Sequence, residues 1–195
     1  MLDGIYRMVL KKFFPLILFV VAFTGFLAGQ IAFDWIDINA EPSKEEKSVH
    51  AHYESLFKKS VFKDTEGKSY SLSKEKAPVV IVNFWASWCQ PCLEEFPSIV
   101  AMKKKYSDDQ VLVLGVNTDS DEPKKNIKKT VKKFGLNFPI VPDEDSKYSN
   151  DFLISAIPVS IIYHNGKVIE VSNEPKDFNS EEWNKMLATL IKKTN

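Results

Sequence analysis

The sequence predicts an α/β domain: a central mixed β-sheet flanked by helices, with an N-terminal β-hairpin and one transmembrane helix ahead of it all. Three observations predict it. Continuous apolar runs at residues 79–84 and 111–116 read as strands buried on both faces. Stretches with helical apolar spacing alternate with them. Two strand-like runs, 159–163 and 167–171, close the series around His164-Asn165-Gly166, and Asn-Gly is a strong hairpin signal. Alternating strands and helices that end in a hairpin give a sheet with parallel and antiparallel pairs.

Each element has its own signal. Val61-Phe62 and Tyr70-Ser71-Leu72 flank Asp64-Thr65-Glu66-Gly67-Lys68, a short hairpin with a glycine turn. A helix over about 91–106 carries Cys92, Phe96, Ile99, Val100 and Met102 on its apolar side, with Pro97 expected to kink it. Residues 122–134 are lysine-rich, with Ile127, Val131 and Phe134 on one face, and read as an exposed amphipathic helix. Residues 138–141 suit a short strand and 146–152 a short helix. The last helix is expected from Asn179, with Glu182 completing a capping box and Trp183, Met186, Leu187, Leu190 and Ile191 facing inward.

Ahead of the domain, Arg7, Lys11 and Lys12 precede residues 13–33, which hold no charged side chain. About 20 apolar residues span a bilayer as a helix. The apolar core of a cleaved leader is shorter, and no clean small-x-small site occurs here. The organisation read from the chain is a cytoplasmic N-terminus at 1–12, an uncleaved anchor at 13–33, a linker at 34–57 and the domain at 58–195. The basic residues stay inside, so the domain faces outward, in the periplasm or outside the cell. Disulfide chemistry persists there. His50 and His52, in the linker, read as solvated residues rather than metal ligands.

Composition narrows the chemistry. Lys+Arg and Asp+Glu both number 26 in 195 residues, so the basic footprint of a nucleic-acid binder is absent. Cys89 and Cys92 are the only cysteines. Two cysteines cannot close a four-ligand zinc site, and no metal is expected. A bond between them would close too small a loop to stabilise much. A redox role is the better reading, with no cofactor beyond that disulfide.

Position supports the redox role. Phe84-Trp85-Ala86-Ser87-Trp88-Cys89-Gln90-Pro91-Cys92 runs from a buried-type strand into a helix start. Unpaired N–H groups and the positive dipole end there favour a thiolate, which lowers the Cys89 pKa below about 8.5. Pro91 suits the first helical turn. Cys92, one turn on, is the resolving thiol. Cys89 attacks a substrate disulfide, and Cys92 then displaces the reduced substrate.

With these residues in view, the chain resembles the thioredoxin superfamily, and within it the TlpA/ResA-like group. The resemblance rests on residues 83–92, on Glu95-Phe96-Pro97, on the hairpin residues 62–68, on Gly115-Val116-Asn117, Phe138-Pro139 and Ile157-Pro158-Val159. It covers about residues 60–192 and implies a thioredoxin-like fold in which Gly115-Val116-Asn117 and Phe138-Pro139 belong to an inserted strand–helix unit. It makes Pro158 a cis-proline whose loop lies against the cysteines and pairs with a substrate strand. Ile157 stands where thioredoxins commonly have threonine. Trp88, Gln90 and Pro91 around the first cysteine, with Ile157 and Pro158, are the substrate contacts the resemblance implies. Trp85 and Trp88 either shape an apolar rim or simply pack. Glu95 aligns with an acidic residue near the cysteines and would carry protons during exchange; the alternative is a surface glutamate beside Glu94. Asn83 replaces the buried aspartate of thioredoxins.

The group's activity implies a reductant of disulfide-containing proteins, such as apocytochrome c in cytochrome c maturation, re-reduced by a membrane thiol donor. The same fold also serves oxidases and isomerases. A copper-binding assembly chaperone is a third reading, with His164 its candidate histidine.

Overall fold

Strand β3 (Val79–Trp85) is buried at every residue, and its partner β4 (Val111–Asn117) matches it. In this computed structural model, which describes residues 14–16, 18–30 and 43–192, these two form the parallel centre of a five-stranded sheet. Strand β5 (Ile140–Pro142) extends it in parallel beyond β4. On the other side β6 (Val159–His164) and β7 (Lys167–Ser172) run antiparallel, giving the order β5-β4-β3-β6-β7. The mixed sheet is the expected one. The turn between β6 and β7 holds Asn165 and Gly166 at φ 49° and 77°, the left-handed pair an Asn-Gly hairpin uses.

Strands β1 (Val61–Lys63) and β2 (Ser69–Ser71) form the expected hairpin as a separate two-stranded sheet. Its turn is organised by Asp64, whose carboxylate accepts from the N–H groups of Glu66 and Lys68 and from the Tyr70 hydroxyl.

Among the described residues of the domain, five α-helices surround the sheet: α1 (Lys44–Lys59), α2 (Gln90–Lys105), α3 (Pro123–Phe134), α4 (Lys147–Asp151) and α5 (Glu181–Lys192). Helix α2 runs unbroken across Pro97. The first turn of α5 is capped one residue later than expected: Trp183 N–H donates to Ser180 Oγ at 3.2 Å. Two apolar layers result. One, on the α2 and α5 side, includes Cys89, Cys92, Phe96, Ile99, Trp183 and Leu187. The other lies under α1, the hairpin and Phe152. Trp85 and Phe96 meet edge to face at 5.1 Å in the first layer, and Phe84 and Phe152 at 5.5 Å in the second.

The expected linker at 34–57 needs correction from Lys44 onward. That segment is helical, and Tyr53 and Leu56 are buried in the second layer. Burying two such side chains stabilises by roughly 1.5–3 kcal/mol each. Polar contacts fix the helix further. The Tyr163 hydroxyl donates to Tyr53 O, Lys167 pairs with Glu54 at 2.7 Å, and His52 hydrogen-bonds Asp151 O at 2.9 Å. His52 is thus a structural contact of the domain rather than a solvated tether residue.

Of the N-terminal segment, residues 14–16 and 18–30 are helical with exposed side chains. Residues 1–12 of the expected cytoplasmic terminus, residues 13, 17 and 31–33 of the expected anchor, and 34–42 of the expected linker lie outside the described residues. Among the described residues no helix is long and apolar enough to cross a membrane.

Candidate active site

The site is built where β3 runs out. Its last residue, Trp85, is fully buried, and the chain turns through Ala86-Ser87-Trp88 into α2. The turn is closed by Cys89 N–H donating to Ala86 O at 3.1 Å. A carboxylate from the neighbouring strand end holds it: Asp119 Oδ1 accepts from the Ser87 N–H at 3.0 Å and from its hydroxyl at 3.1 Å. Asp119 is itself buried and gripped by the Asn117 amide at 3.0 Å. These contacts fix the loop that delivers the first cysteine.

Cys89 is the N-cap of α2, with extended backbone at φ −81° and ψ 97°. Its sulfur accepts from Cys92 N–H at 3.3 Å. A helix leaves its first four N–H groups without intrahelical partners, and here a sulfur satisfies one of them. Cys89 and Cys92 form a disulfide, with Cα atoms 5.3 Å apart. Cys92 has no exposed surface, while Cys89 keeps 4 %. Around the opening stand Trp88, 72 % exposed, and the exposed Gln90 and Pro91. Trp88 therefore does not pack into the core, whereas Trp85 does. Gln90 is occupied in part by a hydrogen bond to Glu94 at 3.1 Å.

Pro158 arrives from the antiparallel side. Val159 pairs with Phe84, so Pro158 lies beside the end of β3 from which the cysteine loop departs. The Ile157–Pro158 bond is cis, and Pro158 is buried while Ile157 is half-buried against both apolar layers. His164 lies at the opposite end of β3, paired with Val79, and its ring contacts Leu190 O. It is remote from the sulfurs, which removes the distal histidine of the copper reading.

Glu95 is not the surface residue its neighbour Glu94 is. It retains 2 % exposure, one turn beyond Cys92 on α2. Asn83 Nδ2 donates to its Oε2 at 3.3 Å, and the backbone N–H of Lys176 donates to its Oε1 at 3.0 Å. Asn83 also donates to Ser160 Oγ at 2.9 Å, while its own Oδ1 is buried without a partner. Burial pushes the Glu95 carboxyl up to about 7, against the opposing pull of those two donors and of the Lys176 charge. A carboxyl with that affinity gives and takes protons near neutral pH.

Asp119, Ser160 and Lys176 were not among the residues the sequence pointed to, and Asn117 entered only as part of Gly115-Val116-Asn117. Asn117-Thr118-Asp119 did carry a signal: polar residues directly after a fully apolar strand, at the end of the sheet where functional loops gather. Lys176 carried none. A groove of about 1080 Å³ between the β1–β2 turn and α3, lined by lysines including Lys124, Lys128 and Lys132, shares no residue with this constellation.

Fold and site together define a thioredoxin-like redox protein built around a Cys-x-x-Cys disulfide at a helix start. The chain belongs to the Redoxin family, which matches residues 53–187. Among similar proteins is the thiol-disulfide oxidoreductase ResA of Geobacillus thermodenitrificans, 36% identical over 112 residues, or 57% of this chain and 63% of that one. That of Bacillus subtilis is 35% identical over 112 residues, 57% of this chain and 62% of its own length. The chain thus spans less than two thirds of these two relatives. A ResA of Bacillus cereus is 33% identical over 147 residues, 74% of this chain and 82% of that one. In structure, StoA from Bacillus subtilis superposes with a TM-score of 0.54 at 25% identity, over 70% of this chain and 96% of that one. A thiol:disulfide interchange protein from a Bacteroides species shares the fold, with a TM-score of 0.54 over 67% of this chain and 84% of its own, at 22% identity.

Proposed function

We propose that this chain is a thiol–disulfide oxidoreductase that reduces protein disulfides outside the cytoplasmic membrane. The observation that carries the reading is the asymmetry of the two sulfurs. Cys89 sits at the helix mouth, takes a backbone N–H and keeps some exposure; Cys92 is wholly enclosed. Similarity to proteins called thiol-disulfide oxidoreductases supports it.

The exchange balances in two steps. In the dithiol form the Cys89 thiolate attacks one sulfur of a substrate disulfide, and the other leaves as a thiolate that takes up a proton. A mixed disulfide now joins Cys89 to the substrate. Cys92 then loses its proton, with Glu95 as the acceptor, and attacks Cys89 Sγ. The second substrate sulfur leaves as a thiol, and the protein keeps the Cys89–Cys92 disulfide. Two electrons have passed to the substrate, and a membrane thiol donor restores them. Trp88, Gln90, Pro91, Ile157 and Pro158 form the surface against which the substrate segment lies.

The anchor belongs to this proposal. Residues 13–33 span the membrane with Arg7, Lys11 and Lys12 inside, which puts the dithiol in the periplasm or its equivalent. The substrate class proposed is apocytochrome c carrying an oxidised haem-attachment pair. Labelling of the reduced cysteines in intact cells by a membrane-impermeant maleimide checks the orientation; protection until lysis refutes it.

The deciding experiment is trapping. Cys92→Ala holds its substrate as a mixed disulfide on Cys89, identifiable by mass spectrometry, and Cys89→Ser abolishes reduction of a protein disulfide. Full activity of Cys89→Ser ends the proposal. The direction of flow is read from the reduction potential: a value near about −270 mV marks a reductant, and one near about −120 mV an oxidant.

A further inference from the structure

We propose that Lys176 is a positioning residue for Glu95: its backbone N–H orients the carboxyl, and its ammonium, anchored by Glu170 and Trp183, supplies the counter-charge the enclosed carboxylate needs after releasing its proton. The inference rests on Glu95 as the proton carrier of the exchange and names what makes that role workable.

A carboxylate cut off from water costs several kcal/mol unless a charge or donors compensate it. Among the described residues, the donors to the Glu95 carboxyl are the Asn83 amide and the Lys176 N–H. Lys176 lies on the segment between β7 and α5, far along the chain. That segment is held against α2 at several points. Phe178 N–H donates to Ser98 Oγ at 3.0 Å, and Ser98 Oγ lies 2.7 Å from Glu95 O and 3.4 Å from Lys176 O. The Lys176 side chain is fixed as well. Its ammonium pairs with Glu170 at 2.7 Å, both being largely enclosed, and sits 4.8 Å from the centre of the Trp183 ring. Half-buried pairs of this kind are screened less than exposed ones.

The other groups facing Glu95 leave this role to Lys176. At the start of α2, Cys89 and Cys92 are joined and uncharged in the oxidised state, and Glu94, at the rim of the cavity beside Glu95, is exposed and accepts from Gln90. On β3 and β6, Asn83 and Ser160 are neutral. Asp177 is exposed and accepts from the Asn179 N–H, and Glu170 on β7 is engaged by Lys176 itself. Among the described residues, Lys176 is the cation whose charge bears on the Glu95 carboxyl. A cavity of about 250 Å³ lies beside Glu95, lined by Glu94, Glu95, Pro97 and Ser98 on the helix and by Pro175, Lys176 and Asp177 on the segment. A space of that size, open to solvent, has room for water to take up the released proton beside Lys176.

The test is a titration of the Glu95 carboxyl in the oxidised full chain, followed by infrared spectroscopy with Glu95→Gln to identify the band. Lys176→Met and Lys176→Gln both keep the backbone N–H and remove the charge. Each is expected to raise the midpoint by about half a pH unit or more, a threefold or greater loss in acidity. Lys176→Arg is expected to restore it. Folding of each variant is read from its melting curve, and the milder Lys176→Gln carries the test if Lys176→Met melts early. An unmoved midpoint in a folded, charge-free variant overturns the proposal, as does a failure of Lys176→Arg to restore it. The functional reading fails separately: if Glu95→Gln leaves the pH–rate profile of disulfide reduction unchanged, Glu95 is no proton carrier, whatever Lys176 does to its titration.

Discussion

In the disulfide form the backbone N–H of Cys92 points at the sulfur of Cys89 across 3.3 Å, so a donor already stands where the attacking thiolate forms on reduction. A hydrogen bond to an anion is worth about twice a neutral one. Together with the helix dipole it favours thiolate over thiol at Cys89.

The first prediction concerns that sulfur. In the reduced protein Cys89 should react with iodoacetamide as a thiolate well below pH 8.5, and Cys92 should resist alkylation in the folded state. A pH profile of alkylation, with mass mapping of the label, checks both. A Cys89 midpoint at or above the free thiol value contradicts the helix-mouth stabilisation.

Glu95 makes stability depend on pH in a stated direction. Burial pushes its carboxyl in the folded chain up to about 7 from its ordinary 4.5. Between those values the folded chain keeps a proton that the unfolded chain has released. Stability contributed by the protonated acid is therefore full below about 4.5 and is lost as pH rises through about 7, by up to about 3 kcal/mol. Urea unfolding of the oxidised protein at pH 5 and pH 8 should show the decline, and Glu95→Gln should remove most of it. An identical slope in that variant would assign the decline to other groups.

Gly115 leaves no room for a side chain. A Cβ there would lie 2.9 Å from the Phe138 ring and 3.1 Å from both Ile140 Cδ1 and Trp85 Nε1. Gly115→Ala should cost about 1–3 kcal/mol by overpacking, seen as a Tm lowered by several degrees. It should also disturb the end of β3 that leads to Cys89, so alkylation of the reduced protein is worth measuring in the same variant.

Helix α1 offers a stability test remote from the sulfurs. Leu56 is 3 % exposed, and truncation to alanine should cost about 2–5 kcal/mol. Denaturant midpoints compared with those of a substitution at the exposed Lys58 would separate core loss from helix propensity. A change below about half a kcal/mol would return this segment to the status of a tether.

Trp88 tests the surface side of the site. Being 72 % exposed, it contributes little to the core, so Trp88→Ala should leave Tm nearly unchanged. The expected effect is a raised KM for a protein substrate with little change in the reaction of a small disulfide. Equal losses on both substrates would mean that the side chain shapes Cys89 rather than contacting the partner.

Periodicity and spacing in the chain determined the strands, their mixed arrangement, the Asn165-Gly166 turn and the strand-to-helix placement of Cys89. The strands, the turn and the cysteine loop depend on residues close together in sequence, where apolar runs and turn chemistry act directly, and the mixed arrangement follows from the order of the elements. Helix α1 escaped because its residues are mostly polar, and only contact with Phe152, Tyr163 and the β6–β7 turn gives Tyr53, Leu56 and Phe57 something to cover. Tertiary structure alone decided that Glu95 is buried while Glu94 is not. It also decided that Asp119 grips Ser87 from 32 residues away and that Lys176 reaches Glu95 from 81 residues away. Such contacts have no local signature, because desolvation and hydrogen bonding depend on what packs against a group, and that is set only when distant segments meet.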